Sequence, residues 1–271
     1  MTQTKITKKT SPLSGQDPSN KGERVAKIMA RAGLASRREA ERWIAEGRVA
    51  VDGEVLTAPG VVVDNPGRIT VDGKPLPAAD APRLWRYHKP AGLVTSHKDE
   101  QGRPTVFANL PKELPRVVSV GRLDLNSEGL LLLTNDGELA RHLELPQNGW
   151  TRRYRVRVFG SPVPSDLKRL AAGITIDGVR YGAVEAELDR MQGRNAWLTM
   201  SLAEGKNREI RRLCEHLGWQ VSRLIRLAYG PFQLGDLPQR EAVEVPRKIL
   251  REQLGGRFAI PVPPRSHAKK S

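Results

Sequence analysis

Two apolar runs separated by a short polar loop constrain this chain more than any other stretch. Val117–Val120 and Leu130–Leu133 have the composition of buried strands. Gly121 and Gly129 bound the loop between them, which is typical of a tight connection. One acidic residue, Asp124, is therefore expected at a fixed place between two buried strands. An aspartate in such a loop often does no more than accept hydrogen bonds from turn amides, so the loop alone assigns it no chemistry.

The charge balance points to a polyanionic partner. The 271 residues include 45 Lys and Arg against 30 Asp and Glu, which gives a formal net charge of +15. Such an excess favours RNA or DNA over a membrane surface. No apolar run approaches the roughly 20 residues that span a bilayer, and the lysines near the N-terminus precede no apolar segment of a secretory signal. Because the single cysteine, Cys214, excludes an internal disulfide, we expect a cytoplasmic protein without a membrane partner.

Residues 23–74 have the pattern of a small domain with two helices and short strands. Apolar residues follow a helical period from Val25 onward, and we expect this first helix to begin at Glu23. Ser36 and Glu39 have the spacing of a capping box, which predicts the start of a second helix.

The elements S-R-R-E-A, G-R-V and D-G follow one another in order between residues 36 and 53. In that order they resemble the S4 RNA-binding domain. The resemblance implies a small α/β domain over residues 23–74 that binds RNA through basic surfaces. The contacts that it implies are Arg24, Lys27, Arg31, Ser36, Arg37, Arg38 and Arg48. The alternative is an ordinary helical hairpin with a solvated basic face.

A proline-rich segment, residues 75–83, is the best candidate for a linker because it has no apolar period. Strands outnumber helices in the second domain, residues 84–254, and their connections are short. We therefore predict an α+β domain with a mixed, largely antiparallel sheet flanked by helices, one of them over Lys206–Leu217. Residues 1–22 and 255–271 are predicted to be disordered basic tails.

G-R-L-D at residues 121–124 is followed by S-E-G-L-L-L-L-T at residues 127–134. These motifs resemble the catalytic loop of the S4-domain-containing ribosomal RNA pseudouridine synthases. The resemblance implies an isomerase that breaks the N1–C1′ bond of a uridine, turns the uracil and joins C5 to C1′, without a cofactor. It also implies that Asp124 is the nucleophile or base beside the sugar, where positive character develops at C1′.

Two further residues receive catalytic roles from the same resemblance. G-K-N-R-E-I-R at residues 205–211 implies that Arg211 keeps Asp124 ionised. T-R-R-Y-R-V at residues 151–156 implies that Tyr154 stacks on the target base and transfers a proton at C5. The alternatives are a surface pair between Arg211 and Glu215, and a Tyr154 ring in the core with its hydroxyl at the surface.

Basic residues near these motifs are the candidate RNA contacts of the second domain. A flipped uridine leaves a vacant space in its stack, and Arg122 is placed either to fill that space or to hold a flanking phosphate. Lys206, Arg208 and Arg212 are expected to position the RNA backbone without reading its sequence, and Arg103 is placed to meet a phosphate or a base. The whole set comprises Arg103, Arg122, Lys206, Arg208 and Arg212. The histidines are scattered without a ligand spacing, so no metal is expected.

The sequence therefore predicts a stand-alone rRNA pseudouridine synthase. The segment Tyr154–Gly160 looks most like the large-subunit type B enzymes. We expect a monomer whose partner is 23S rRNA or a ribosomal subunit assembly intermediate. Three alternatives stay open: a 16S small-subunit synthase, a non-catalytic S4-type RNA-binding factor, and a nucleoside or sugar hydrolase, which usually needs a second positioned carboxylate.

Overall fold

A proline-rich segment separates two units of the chain. The structure, a computed structural model, describes residues 22–255 and residue 258. The first unit ends at Ala79 and the second begins at Asp80, inside the predicted linker 75–83. The predicted tails, 1–22 and 255–271, lie almost entirely outside the described residues. None of the described helices is long and apolar enough to cross a membrane.

The first unit contains two short helices and several paired strands. The helices are α1 (Val25–Arg31) and α2 (Arg37–Ala45). The strands are β1 (Glu23–Arg24), β2 (Val49–Val51), β3 (Glu54–Val55), β4 (Val62–Val63), β5 (Ile69–Val71) and β6 (Lys74–Pro75). Four of them form an antiparallel sheet in the order β3-β2-β5-β6, and β1 pairs separately with β4.

The starts of these two helices have different causes. The Glu39 amide donates to Ser36 Oγ over 3.1 Å and the Ser36 amide donates to Glu39 Oε2 over 3.4 Å, so the predicted capping box is confirmed. The first helix begins at Val25, and the prediction that it begins at Glu23 is wrong. Glu23 and Arg24 are instead extended, because they pair with β4 as an antiparallel strand.

The second unit is built on one large sheet. Its strands are β7 (Leu84–Lys89), β8 (Val118–Val120), β9 (Glu128–Thr134), β10 (Arg152–Phe159), β11 (Thr175–Ile176), β12 (Val179–Arg180), β13 (Val184–Gln192), β14 (Asn195–Leu202), β15 (Gln220–Tyr229), β16 (Phe232–Gln233) and β17 (Ala242–Glu244). Its helices are α3 (Gly137–Glu144), α4 (Pro164–Ala172), α5 (Glu209–His216) and α6 (Arg247–Leu254).

The order of the sheet confirms the predicted α+β class. Its main path is β13-β14-β10-β15-β9-β7-β17, with β8 beside β9 and β16 beside β15; the short pair β11 and β12 stands apart. Neighbouring strands of this path are antiparallel, except for the parallel pair β9 and β15. The sheet is thus mixed and mainly antiparallel.

Strand β9 lies near the middle of the sheet and is buried on both faces. Leu130 and Leu132 belong to one core cluster with residues of α3 and α6, and Leu131 and Leu133 belong to another on the opposite face. A strand covered on both faces reads as a continuous apolar run rather than an alternating one. Four consecutive leucines therefore anchor the loop that carries Asp124.

Helix α5 is shorter than predicted. It covers Glu209–His216, whereas the sequence predicted Lys206–Leu217. Arg208 has a φ of 51°, in the left-handed region that a right-handed helix excludes. The helix therefore starts after Arg208. Its buried side packs Leu213 and Cys214 into a core cluster with residues of β10 and β14.

Candidate active site

Asp124 lies in the loop between β8 and β9. The Ser127 amide donates to the Asp124 carbonyl over 3.0 Å, which closes a turn in this loop. Gly129 follows with a φ of 99°, and a Cβ at this position would lie 2.3 Å from the Arg226 carbonyl oxygen of β15. Glycine is therefore required here by the backbone conformation and by the close approach of two strands. The loop is fixed to the sheet directly after Asp124.

A buried lysine, which the sequence analysis did not identify, holds the same loop. The Lys89 side chain is fully buried at the end of β7. Its ammonium group donates over 2.8–3.3 Å to the carbonyl oxygens of Pro90, Asp124, Leu125 and Ser127. Burial lowers the pKa of Lys89 to about 8, and the carboxylates of Asp124 and Glu128 oppose that shift. The sequence signal that could have indicated this buried lysine was its position between a predicted strand and the turn Pro90-Ala91-Gly92.

A cavity of about 700 Å³ opens beside Asp124. Loop residues 121–125, the start of β10, the segment 204–210 and part of β15 contribute to its wall. Of the residues predicted from the sequence, the wall includes Arg103, Arg122, Asp124, Tyr154, Lys206 and Arg208. Segments far apart in the chain therefore meet at one place, and Arg211 lies just outside the stretch 204–210 of the wall.

The Asp124 carboxylate faces two guanidinium groups. Its Oδ2 lies 3.8 Å from Arg211 Nε and 3.8 Å from Arg208 Nη1. The Arg211 side chain is 14% exposed and donates through Nη2 to the Asn126 carbonyl over 2.9 Å, whereas the Arg208 side chain is 53% exposed. Burial and the nearby Arg208 lower the pKa of Arg211, and Asp124 raises it. The sequence predicted the first cation but placed Arg208 only on the RNA backbone.

Tyr154 lies on the inward face of β10. Its cross-strand neighbours are Met200 on β14 and Arg226 on β15. The side chain is half-buried, packs against two core clusters and also contributes to the cavity wall. The two sequence readings of Tyr154 are thus compatible, because the ring contacts the core and still borders the cavity.

Two predicted RNA contacts of the cavity already have acidic partners. Arg103 forms an ion pair with Asp99 at 2.7 Å. Lys206 pairs with Glu204 and donates to the Arg180 carbonyl over 2.8 Å. Arg212 lies outside the cavity wall and donates to the Tyr181 hydroxyl over 3.3 Å, and Arg122 is exposed. An RNA backbone would therefore compete with these internal partners, except at Arg122.

The predicted RNA contacts of the first unit differ in their surroundings. Lys27 and Arg31 each form an ion pair with Glu23 at 2.6 Å. Arg48 makes a two-pronged contact with Asp72, and the Ser36 hydroxyl accepts the capping hydrogen bond described above. Arg24, Arg37 and Arg38 are exposed.

The cavity wall contains further carboxylates, and each has a structural partner. Glu144 Oε1 accepts from the Gly121 amide over 2.6 Å, and Glu204 pairs with Lys206. Glu209 is buried, its Oε2 accepts from the Lys206 amide over 2.9 Å, and burial raises its pKa. Of the wall carboxylates, Asp124 is the one that faces two guanidinium groups at 3.8 Å.

Two buried arginines of the wall were also absent from the sequence predictions. Arg152 donates to the Tyr229 hydroxyl over 2.8 Å, and Arg226 donates to the Leu130 carbonyl over 2.7 Å. Arg152 has the same parity as Tyr154 on β10, and this alternation was the available signal for its inward direction.

Comparison with known proteins identifies the family. Residues 83–216 match the family model described as RNA pseudouridylate synthase, and residues 23–67 match the S4 domain. An uncharacterized RNA pseudouridine synthase of Rickettsia bellii (strain RML369-C) is 48% identical over 229 residues, which cover 84% of this chain and 99% of that protein.

Two relatives carry a more specific name, ribosomal large subunit pseudouridine synthase B. The protein of Pasteurella multocida (strain Pm70) is 43% identical over 225 residues, which cover 81% of this chain and 65% of that protein. The protein of Salmonella typhi is 43% identical over 218 residues, which cover 78% of this chain and 75% of that protein.

A solved structure supports the fold. The crystal structure of a pseudouridylate synthase aligns with a TM-score of 0.61 at 23% identity and covers 85% of this chain and 99% of that one. The family resemblance read from the sequence motifs is thus confirmed: the chain belongs to the RNA pseudouridine synthase family and carries an S4 domain before its synthase domain.

Proposed function

We propose that this enzyme converts a specific uridine of 23S ribosomal RNA to pseudouridine. The carrying observation is the Asp124 carboxylate, which borders the cavity with Arg208 and Arg211 each 3.8 Å from its Oδ2. Two relatives at 43% identity are named for the ribosomal large subunit, which supports the choice of RNA.

The chemistry assigns one task to each central residue. Asp124 attacks or assists at C1′ while the N1–C1′ bond breaks, and the uracil turns so that the C5–C1′ bond can form. C5 loses a proton and N1 gains one, so the product is an isomer of the substrate. Arg211 places a positive charge beside the carboxylate, and Tyr154 contacts the flipped base and transfers the C5 proton.

The two domains divide binding and chemistry. We assign residues 23–74 to RNA binding through the exposed cations Arg24, Arg37 and Arg38, and residues 84–254 to isomerisation. The uridine must leave its stack to reach Asp124, at a cost of a few kcal/mol. Contacts of the first domain to the phosphate backbone help to offset that cost and should depend on salt.

The test uses ribosomal RNA from a strain that lacks the gene. The parent enzyme should form pseudouridine at one position of 23S rRNA without a change in RNA mass and without release of uracil. Asp124→Asn keeps the size of the side chain and removes its charge, so turnover should vanish while RNA affinity stays similar. Turnover within tenfold of the parent would contradict the role of Asp124.

Other outcomes would favour the alternatives. Released uracil would indicate a hydrolase, and modification of 16S rRNA alone would indicate a small-subunit synthase. Binding without any product would indicate a non-catalytic RNA-binding factor.

A further inference from the structure

One strand of the large sheet exposes a row of three arginines on the face opposite the cavity. The burial of β10 alternates, with Arg152, Tyr154 and Val156 directed inward. Arg153, Arg155 and Arg157 alternate with them and are exposed. Because alternate residues of a strand point to the same side, these three arginines form one row, which we term the basic stripe.

The described helices of the second unit leave this part of the sheet open. Core residues of α3 and α6 cluster with those of β9, and core residues of α4 and α5 cluster with the inward residues of β10 and β14. The Arg155 side chain is 51% exposed and its guanidinium lies over the Trp197 ring of β14 at 4.9 Å. The tryptophan thus supports the guanidinium and leaves its outer side open.

The partners of the basic stripe neutralise little of its charge. Arg153 donates to Gln233 Oε1 over 2.9 Å and Arg157 donates to Asn195 Oδ1 over 3.3 Å, and both acceptors are neutral amides. Arg155 has the carboxylate of Asp189 at 3.8 Å. Three like charges on alternate residues of one strand, whose backbone positions are about 7 Å apart, repel each other. A bound anion would relieve that repulsion.

The charges on two nearby strands, β13 and β15, limit where such an anion can lie. Strand β13, at the edge of the sheet, carries Glu185, Glu187 and Asp189, which are exposed. On the other side of β10, Arg223 of β15 lies opposite Arg157 and pairs with Glu128 at 2.9 Å. A polyanion can therefore follow β10 but is repelled at the edge of the sheet.

We propose that the basic stripe binds the phosphate backbone of the substrate RNA at a place remote from the target uridine. This inference rests on the proposed function, because the RNA is the one that the cavity modifies. Arginine suits the role since its planar group makes two-pronged contacts with phosphate oxygens. The contact positions the RNA on the sheet and takes no part in the chemistry.

The experiment measures the affinity of the full-length protein for deproteinised ribosomal RNA over a range of salt concentrations. Arg153→Gln, Arg155→Gln and Arg157→Gln are combined in one variant. Each lost phosphate contact lowers the slope of log affinity against log salt by about one, so a loss of two to three is expected, with about tenfold weaker binding at physiological salt. The rate at saturating RNA should stay unchanged.

A matched variant controls for net charge. Arg141→Gln, Lys248→Gln and Arg251→Gln remove the same charge from exposed positions on α3 and α6, and should lower the slope by less than one. Lysine at the three stripe positions should retain most of the parent slope. Equal slopes for the stripe variant and the matched control would overturn the proposal. A stripe variant with the parent slope would also overturn it, and an acidic protein would then be the remaining candidate for a partner of the basic stripe.

The proposed function is tested separately, by measuring the formation of pseudouridine. A parent protein that binds the RNA but forms no pseudouridine would contradict the function, while the slope comparison would still decide whether the basic stripe binds phosphate.

Discussion

Arg211 Nε lies 3.8 Å from Asp124 Oδ2, although the 86 residues 125–210 separate the two in the chain. The Arg211 side chain is 14% exposed and that of Asp124 is 30% exposed. An ion pair whose side chains are exposed to solvent to this extent contributes little to the free energy of unfolding. The pair therefore matters for the charge around Asp124 at the cavity more than for the stability of the fold.

Arg211→Ala should lower the rate at saturating RNA. The substitution removes the less exposed of the two positive charges beside Asp124, and it also removes the hydrogen bond that Arg211 donates to the Asn126 carbonyl of the same loop. The rate of pseudouridine formation at saturating RNA measures this effect. Arg211→Lys should retain part of the activity, because a point charge replaces a two-pronged group.

Arg208 and Arg212 provide the comparison for Arg211. Arg208→Ala should lower the rate less, because the Arg208 side chain is 53% exposed and solvent screens its charge. Arg212→Ala should change binding alone. If Arg211→Ala behaves like Arg212→Ala, the carboxylate depends on another partner.

Lys89→Met should disturb the Asp124 loop and lower the rate. It leaves the carbonyl groups of the loop without their shared donor, at a cost of about 1–3 kcal/mol in the free energy of unfolding at pH 7. A small displacement of Asp124 should lower the rate up to about a hundredfold. Lys98→Met, at an exposed position, is the control and should change neither quantity.

The stability difference between the parent and Lys89→Met should also widen above pH 8. The pKa of Lys89 is about 8 in the folded protein, below the ordinary value of a lysine in the unfolded chain. Between these values the unfolded chain binds more protons, so the parent gains stability as pH rises, by up to about 3 kcal/mol. Denaturant unfolding at pH 7 and pH 10 measures the change, and a constant difference would contradict a buried, deprotonating lysine.

Tyr154→Phe should separate stacking from proton transfer. The phenylalanine ring can still contact the base, so RNA affinity should stay close to that of the parent. Loss of the hydroxyl should lower the rate by about 10² to 10⁴ if it transfers the C5 proton. Tyr181→Phe removes a hydroxyl that Arg212 contacts outside the cavity wall and serves as the control. A Tyr154→Phe rate within threefold of the parent would leave Tyr154 with a stacking role alone.

Gly129→Ala should destabilise the sheet where β9 meets β15. The added Cβ would lie 2.3 Å from the Arg226 carbonyl oxygen, and the φ of 99° already disfavours alanine. We expect a loss of about 2–5 kcal/mol in the free energy of unfolding. Gly193→Ala has a φ of 57° and open space around the added atom, so it should cost only about 1 kcal/mol.

Features that depend on near neighbours could be predicted from the sequence. The capping box joins Ser36 and Glu39, three residues apart, and its two hydrogen bonds form as the spacing requires. The four consecutive leucines of β9 predict a strand that is buried on both faces, and the structure places core clusters on both faces of β9. The motif around Asp124 was recognisable because it is contiguous. The roles of Asp124, Tyr154 and Arg211 remain predictions.

Tertiary structure alone decided which distant groups meet. The parallel pairing of β9 with β15 brings Gly129 against Arg226, and no local pattern specifies such a long-range register. The left-handed Arg208 delays the start of α5 to Glu209, and the Arg208 side chain, predicted as a backbone contact, lies beside Asp124. Lys89 appeared to be a strand-ending lysine, and only folding surrounds it with the carbonyl groups of a loop 35–38 residues away. The physical reason is that periodicity and capping act within a few residues, whereas burial and charge pairing depend on how the whole sheet assembles.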